Sequence, residues 1–338
     1  MKVKIENNSF KKVPELVKGL GEKFAIVTDM HLKELGQKLM QSMKNAGLKC
    51  DLVSILPGEQ TKSLAFVEKV VKTFLKIGMK RDSAIIALGG GVIGDLTGFI
   101  ASIYMRGIPY VSVPTTLLAM VDSSIGGKTG VDLEDGKNLI GTFNYPEIII
   151  IDPLLLKTLP DREFRCGLAE IVKKSVIADK NFFNFLWKNS TEILKRNNEL
   201  VKKIIEKSTN IKNSIVKKDE KESVRKINSG SSRMVLNYGH TVGHALEKLS
   251  NFELSHGEAV AIGMVAENRV AVGKKILKES DAIKIMELLK KFHLPTKIPV
   301  KYSQVEIQKA LSLDKKNING ELLFALPVAI GKVKMFLI

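Results

Sequence analysis

Cysteine is nearly absent from this 338-residue chain, which holds only Cys50 and Cys166. Two thiols exclude a disulfide-built scaffold and a cysteine zinc cluster, and they fit a reducing cytoplasm. Long apolar runs are also missing. None approaches the roughly 20 residues of a membrane span, so no membrane partner is expected. The charged stretch Met1–Phe10 lacks the apolar region of a signal peptide. There is no internal repeat and no low-complexity linker. Histidine is scarce as well, with five in the chain.

What is present is an ordinary globular composition, 44% hydrophobic and 26% charged, which excludes disorder, collagen and coiled coil. The length suggests two domains. The net charge of +17 favours anionic partners, whether nucleic acid, membrane surface or phosphorylated metabolites. Between Lys195 and Lys226 eleven basic residues stand against five acids. That stretch has no interleaved aromatics, so it reads as a solvated helix face and no nucleic-acid partner is expected.

In the first half, short apolar runs alternate with helical segments. Strands are expected at Lys23–Thr28, Cys50–Leu56, Ser83–Leu88, Pro109–Val113 and Ile148–Ile151. Helices are expected at His31–Ala46, Ser63–Ile77 and Gly94–Tyr104. This alternation predicts a parallel sheet covered on both faces. From Asp161 onward helices dominate, at Phe182–Leu194, Glu199–Val216, Arg233–Leu249, His256–Val272 and Asp281–Phe292. Only Leu322–Leu326 and Lys332–Leu337 have strand character. The boundary is placed near Asp152-Pro153, giving an α/β domain over 1–152 and a mainly helical one over 153–338.

Three constellations carry chemistry. The run Gly89-Gly90-Gly91-Val92-Ile93-Gly94 fits G-x-G-x-x-G between a strand and a helix, where backbone amides can approach a pyrophosphate. A tight packing turn is the alternative. The acid usual about 20 residues on is absent, and Glu59, at the end of the preceding strand, could hold ribose hydroxyls in its place. The run Gly126-Gly127-Lys128-Thr129 resembles the end of a phosphate loop but lacks its first glycine, which argues against a nucleotide triphosphatase. Lys128 and the pair Lys137-Asn138 still suit an anionic group. Finally, His240, His244 and His256 cluster. The first two share a helix face, and Ser255 and Glu258 form a capping box that puts His256 in a first helical turn. With Glu170 as a third ligand, the set suits a catalytic zinc site or acid–base work.

Together these stretches resemble the 3-dehydroquinate synthase family of sugar phosphate cyclases. The similarity runs through Gly89–Asp95, Pro114–Ser124, Gly126–Gly130, Lys137-Asn138, Gly167–Lys173, Asn237–Ala245, Ser255–Ala259 and Leu313–Lys316. It implies a Rossmann-like NAD-binding domain, a helical metal- and substrate-binding domain and an active site in the cleft. It also implies conversion of 3-deoxy-D-arabino-heptulosonate 7-phosphate to 3-dehydroquinate and phosphate in the shikimate pathway of aromatic amino acid biosynthesis. The route is transient oxidation by NAD, phosphate elimination, reduction, ring opening and intramolecular aldol closure.

By motif, the resemblance gives Glu170, His240 and His256 as ligands of zinc (or cobalt), with His244 for acid–base work. It assigns NAD to Asp29, Glu59, Lys62, Gly90, Gly91, Val92, Ile93, Gly94, Asp95, Thr115, Thr116, Lys128, Lys137, Leu155, Leu156, Lys157, Thr158, Leu159 and Glu163. Substrate falls to Asp122, Lys128, Asn138, Lys173, Lys212, Arg233, Asn237 and one of Lys315 or Lys316. Arg106 matches an arginine lent across a homodimer interface. The glutamate usual four residues before Arg233 is Ser229 here, after a longer basic segment, Lys221–Ser232. Either another acid, such as Glu222, substitutes, or Arg233 lacks that partner. The alternatives are another cyclase, of the 2-deoxy-scyllo-inosose or 2-epi-5-epi-valiolone synthase type, a polyol dehydrogenase, or a basic nucleic-acid-binding protein.

Overall fold

A computed structural model describes residues 2–133, 136–223, 232–251, 253–312, 317–318 and 321–338. The chain forms two compact units, Met1–Leu159 and Pro160–Ile338. The 3-10 turn Pro153–Thr158, which follows the expected boundary at Asp152, falls with the first.

The first unit runs β1 (Lys2–Ile5), α1 (Val13–Leu16), β2 (Lys23–Asp29), α2 (Lys33–Asn45), β3 (Lys49–Ile55), α3 (Leu64–Lys76), β4 (Ser83–Gly89), α4 (Gly91–Ile103), β5 (Tyr110–Pro114), β6 (Lys128–Leu133), β7 (Gly136–Phe143) and β8 (Ile148–Ile151). Six strands form one parallel sheet in the order β1-β8-β5-β4-β2-β3. Alternate residues feed opposite faces. Phe24, Ile26, Ala84, Ile86 and Leu88 pack on α2 residues Leu39 and Met43. Ala25, Val27, Ile85 and Ala87 pack with Phe74 of α3 and Leu96 and Ile100 of α4. Burial on both faces is why these strands read as continuous apolar runs. The winding reverses between β2 and β4. Asp29 and Gly89 therefore end neighbouring strands at the switch point, where doubly wound sheets take ligands.

Three elements of this unit escaped the sequence expectations. The edge strand β1 pairs with β8. The joint is held by Asp152, whose carboxylate accepts the backbone N–H groups of Asn8, Phe10 and Leu154, each at 3.1 Å. The strands β6 and β7 form an antiparallel hairpin, so Gly126-Gly127-Lys128-Thr129 leads into a strand and not into a phosphate-loop helix. Moreover, α4 begins at Gly91, not Gly94, because Gly90 takes the cap position.

The second unit contains α5 (Asp161–Ala178), α6 (Lys180–Leu194), α7 (Asn198–Lys218), α8 (His240–Leu249), α9 (His256–Gly273), α10 (Glu279–Lys291) and α11 (Gln304–Ser312). A small sheet of β9 (Asn317–Ile318), β10 (Glu321–Ala329) and β11 (Lys332–Leu337) follows in the order β11-β10-β9. The helix expected over Arg233–Leu249 is broken. A 3-10 turn, Arg233–Asn237, ends at Tyr238, and Gly239 turns left-handed at φ +79° before α8 starts. The short helix α11 was not expected.

Candidate functional site

In the first unit, several of the resemblance-assigned residues lie at the carboxyl ends of the parallel strands. Asp29 closes β2 and accepts the backbone N–H groups of His31 and Leu32, at 2.9 and 3.3 Å. Thr115 and Thr116 follow β5. Thr115 donates its N–H to the Gly89 carbonyl at 3.0 Å, and the Thr116 hydroxyl accepts the Ala119 N–H at 3.1 Å. Asp122 lies in the π turn Ala119–Ser123. Leu155, Leu156, Lys157 and Thr158 occupy the 3-10 turn after β8, with Leu159 at its end. Arg106 is exposed and left-handed at φ 72°, beside Met105 at φ 50°.

The glycine run forms a helix start open to an anion. The first N–H groups of α4, at Gly91, Val92 and Ile93, precede its hydrogen-bonded turns, the first of which joins the Gly94 N–H to the Gly90 carbonyl at 3.0 Å. A Cβ built at Gly94 would meet nothing within 4 Å, whereas one at Gly90 would lie 3.2 Å from the Thr116 methyl. The chain thus leaves space over the first turn of α4, and the residues present fit a pyrophosphate there.

The hairpin β6–β7 packs on α4 because Gly98 has no side chain; a Cβ there would come within 2.5 Å of the Thr129 methyl. This brings Lys62, Asp95, Asp132 and Asn138 together. Lys62 Nζ is 2.7 Å from Asp95 Oδ2 and also bonds Asn138 Oδ1. Asp132 accepts the Asn138 N–H at 2.7 Å and lies 3.9 Å from Lys62 Nζ. Burial by itself would lower the Lys62 pKa, but Asp95, Glu59 and Asp132 outweigh it and hold the ammonium above its ordinary value. For Asp95, burial outweighs Lys62 and raises the carboxyl pKa. Glu59, expected at the ribose, pairs with Lys137 at 3.3 Å. Lys128 opens β6 and is exposed. Asp132 was missed by sequence reading; its signal is its position in the alternating strand opposite Lys137-Asn138.

In the second unit, α5 supplies Glu163, Glu170 and Lys173, and α7 supplies Lys212. Glu170 is completely buried. Its Oε2 meets Lys173 Nζ at 2.8 Å and Lys174 Nζ at 3.2 Å. Among the described residues its Oε1 has no hydrogen-bond partner, and the Nε2 atoms of both His240 and His256 lie 3.6 Å from it. That separation is long for a hydrogen bond and suits three donors facing a common centre. Burial would raise the Glu170 pKa, but Lys173, Lys174 and His256 overcome this and hold it well below the usual range.

Each ring is fixed through its other nitrogen. His240 Nδ1 is 3.2 Å from the Tyr238 carbonyl, and His256 Nδ1 is 3.3 Å from Glu247 Oε1. Burial disfavours a charged His256, yet Glu170 and Glu247 on its two sides push its pKa up to about 10. The surroundings therefore favour positive charge at this point. Glu170, His240 and His256 offer ligand atoms within 4.8 Å of one another, and so do His244, Glu247 and His256. The first set leaves Glu170 Oε1 without any other partner, so it fits a divalent metal better. His244 stands beside it, its ring 5.0 Å from that of His240. Glu247 was also missed; its signal was an acid three residues after His244.

Arg233 is buried beside the end of α7. The Arg233 guanidinium donates to the Glu220 carbonyl at 3.1 Å, and the Arg233 backbone N–H donates to the buried Asp219 carboxylate at 3.0 Å. Glu222 lies against Asn237, Oε1 to Nδ2 at 3.4 Å. Ser229, Lys315 and Lys316 lie outside the described residues. Among the described residues, no helix is long and apolar enough to cross a membrane.

Comparison with known proteins agrees with this geometry. The profile of the 3-dehydroquinate synthase N-terminal domain matches residues 52–166, and that of its C-terminal domain matches 167–317. A 3-dehydroquinate synthase of Thermodesulfovibrio yellowstonii is 45% identical over 94% of this chain and 87% of its own length. One from a Nostoc species is 46% identical over 93% of this chain and 86% of its own. Among solved structures, 2-epi-5-epi-valiolone synthase from Streptomyces hygroscopicus with NAD+ and Zn2+ bound superposes with a TM-score of 0.89. It is 27% identical and covers 99% of this chain and 92% of its own. A 2-deoxy-scyllo-inosose synthase complexed with carbaglucose-6-phosphate, NAD+ and Co2+ gives 0.88 at 25% identity, over 99% of this chain and 91% of its own. A Rossmann-like sheet, a glycine-opened helix and a Glu-His-His set, joined to matches along nearly the whole chain, make this protein a member of the 3-dehydroquinate synthase family.

Proposed function

We propose that the protein is a 3-dehydroquinate synthase, converting 3-deoxy-D-arabino-heptulosonate 7-phosphate to 3-dehydroquinate and phosphate. The observation that carries the reading is the buried Glu170 oxygen facing His240 and His256, in a chain of this family. Glu170, His240 and His256 would hold zinc or cobalt, which supplies Lewis acidity toward substrate hydroxyls. NAD would sit at the start of α4 and over Asp29, Glu59 and Thr115, supplying a hydride acceptor that is restored within the turnover.

The chain's own residues supply the rest. His244 is half exposed and can hold or move a proton beside the ligand set. Lys128 and Asn138 suit the phosphate, and Lys212, Arg233 and Asn237 suit the carboxylate and hydroxyls. Lys173 serves as counter-ion to Glu170 through the same ammonium that would reach substrate. Arg106, exposed on its left-handed turn, would serve a neighbour in a homodimer. The two buried thiols suit a cytoplasmic setting.

The test is phosphate release from 3-deoxy-D-arabino-heptulosonate 7-phosphate with catalytic NAD, before and after chelation and zinc restoration. The expected result is metal-dependent release, dehydroquinate by mass spectrometry and no net NADH. No release by protein carrying metal and NAD would overturn the reading. The likeness to the valiolone and inosose synthases would then make sedoheptulose 7-phosphate and glucose 6-phosphate the next substrates.

A further inference from the structure

We infer that two buried carboxylates, Glu247 and Glu267, are reciprocal positioning residues for the histidines of the metal set. The inference rests on the metal-binding reading above and extends it outward. Each of the two helices carries one metal histidine and the brace for the other.

Glu247 belongs to α8, and its Oε1 lies 3.3 Å from Nδ1 of His256, the first residue of α9. Glu267 belongs to α9 and is completely buried. Its Oε2 accepts the Gly239 N–H at 2.6 Å, and its Oε1 accepts the Val242 N–H at 3.2 Å. Those two amides bracket His240. Because Gly239 occupies the cap position, α8 has no side-chain cap of its own. Glu267 does that work from another helix, and its charge matches the positive end of α8.

The residue after Glu267 completes the brace. The Tyr238 hydroxyl donates to Asn268 Oδ1 at 2.7 Å, and the Tyr238 carbonyl faces His240 Nδ1. With both Nδ1 atoms facing acceptors, the neutral form of each ring would carry its proton on Nδ1 and turn a free Nε2 toward the metal position beside Glu170. Partners of this kind fix the ring orientation of metal-binding histidines.

The test measures Zn2+ affinity of metal-stripped protein by chelator competition, and the visible spectrum of the Co2+ form. Glu247→Ala is expected to weaken Zn2+ binding about tenfold to a hundredfold and to alter the Co2+ bands. Glu247→Gln keeps an acceptor oxygen for Nδ1 and should recover most of that loss. Glu267→Gln should also weaken binding, with thermal unfolding of the stripped protein recorded beside it. If Glu267→Gln does not fold, the Glu247 pair carries the test alone. Glu258→Ala is the control, since it opens the capping box of α9 without touching either ring. Glu247→Ala binding Zn2+ within about a factor of two of the parent, with unchanged Co2+ bands, overturns the inference. So does an equal loss in Glu258→Ala. Parent protein that takes up neither metal fails the metal reading itself, and the inference falls with it.

Discussion

Lys62 and Asp95 form a nearly buried ion pair, 2.7 Å apart, between the loop after β3 and the first turns of α4. Glu59 and Asp132 add further negative charge around it. Removing one partner of such a pair strands the other. Lys62→Met is therefore expected to cost about 3 kcal/mol in urea unfolding and to weaken NAD binding. Adding Asp95→Asn should recover part of the stability. An unchanged unfolding midpoint in Lys62→Met would mean that the pair holds nothing in place.

Gly94 separates folding from binding. A methyl there meets no protein atom within 4 Å. Alanine is also favoured over glycine inside a helix by about 1 kcal/mol. Gly94→Ala should thus melt at or above the parent temperature while NAD affinity drops at least several-fold. Calorimetric titration with NAD checks this, and undiminished affinity would place the pyrophosphate elsewhere.

Glu170 serves two ends. Glu170→Gln removes the charged ligand and also leaves Lys173 and Lys174 buried without their carboxylate. Elemental analysis should find the bound divalent metal lost. The metal-stripped variant should still be about 3 kcal/mol less stable than the stripped parent. Retained metal together with parental stability would contradict both roles.

Gly263 sets the crossing of α8 and α9. A Cβ there would lie 2.0 Å from the Gly239 carbonyl oxygen. Despite alanine's helix preference, Gly263→Ala is expected to destabilise by about 2 kcal/mol, because rigid backbone has to shift. Metal binding should weaken with it, since Gly239 precedes His240. A variant as stable as the parent would show that the crossing can yield.

Burial pushes both thiols up to about 12. A raised thiol pKa keeps the reactive thiolate scarce at neutral pH, about three orders of magnitude below an ordinary cysteine. Iodoacetamide at pH 8 should leave Cys50 and Cys166 unmodified in the native protein and label both in concentrated urea. Mass spectrometry reads the outcome, and rapid native labelling of Cys166 would show that the start of α9 opens.

Much of this was legible because the physics is local. The strands of the parallel sheet announce themselves as apolar runs, and His240 and His244 share a face by helical spacing alone. The ligand set needed three separate segments, and Glu170 stood as a possible third ligand until the resemblance assigned it to the metal. Elements stabilised by distant partners were not legible. β1 has an unremarkable alternating pattern and exists because β8 offers an edge. The hairpin β6–β7 is glycine-rich, so its strand propensity is low, and it is held by close approach to Gly98. The break at Gly239 was hidden inside a helical pattern, because the carboxylate that caps α8 comes from another helix. Asp132 and Glu247 were overlooked for the same reason, since each acquires its role only through a neighbour brought in by the fold.

The joint of β1, β8 and Asp152 has a consequence for the order of events during synthesis. The first strand of this unit to be synthesised pairs with its last, about 146 residues later in the register Lys2 to Ile148. Every intervening strand can find its neighbour earlier. That segment must therefore wait, with the backbone groups of Asn8 and Phe10 served by water, until Asp152 has emerged. Late closure by the most distant contact makes the β8 edge the natural site of strand exchange or chaperone capture on the nascent chain.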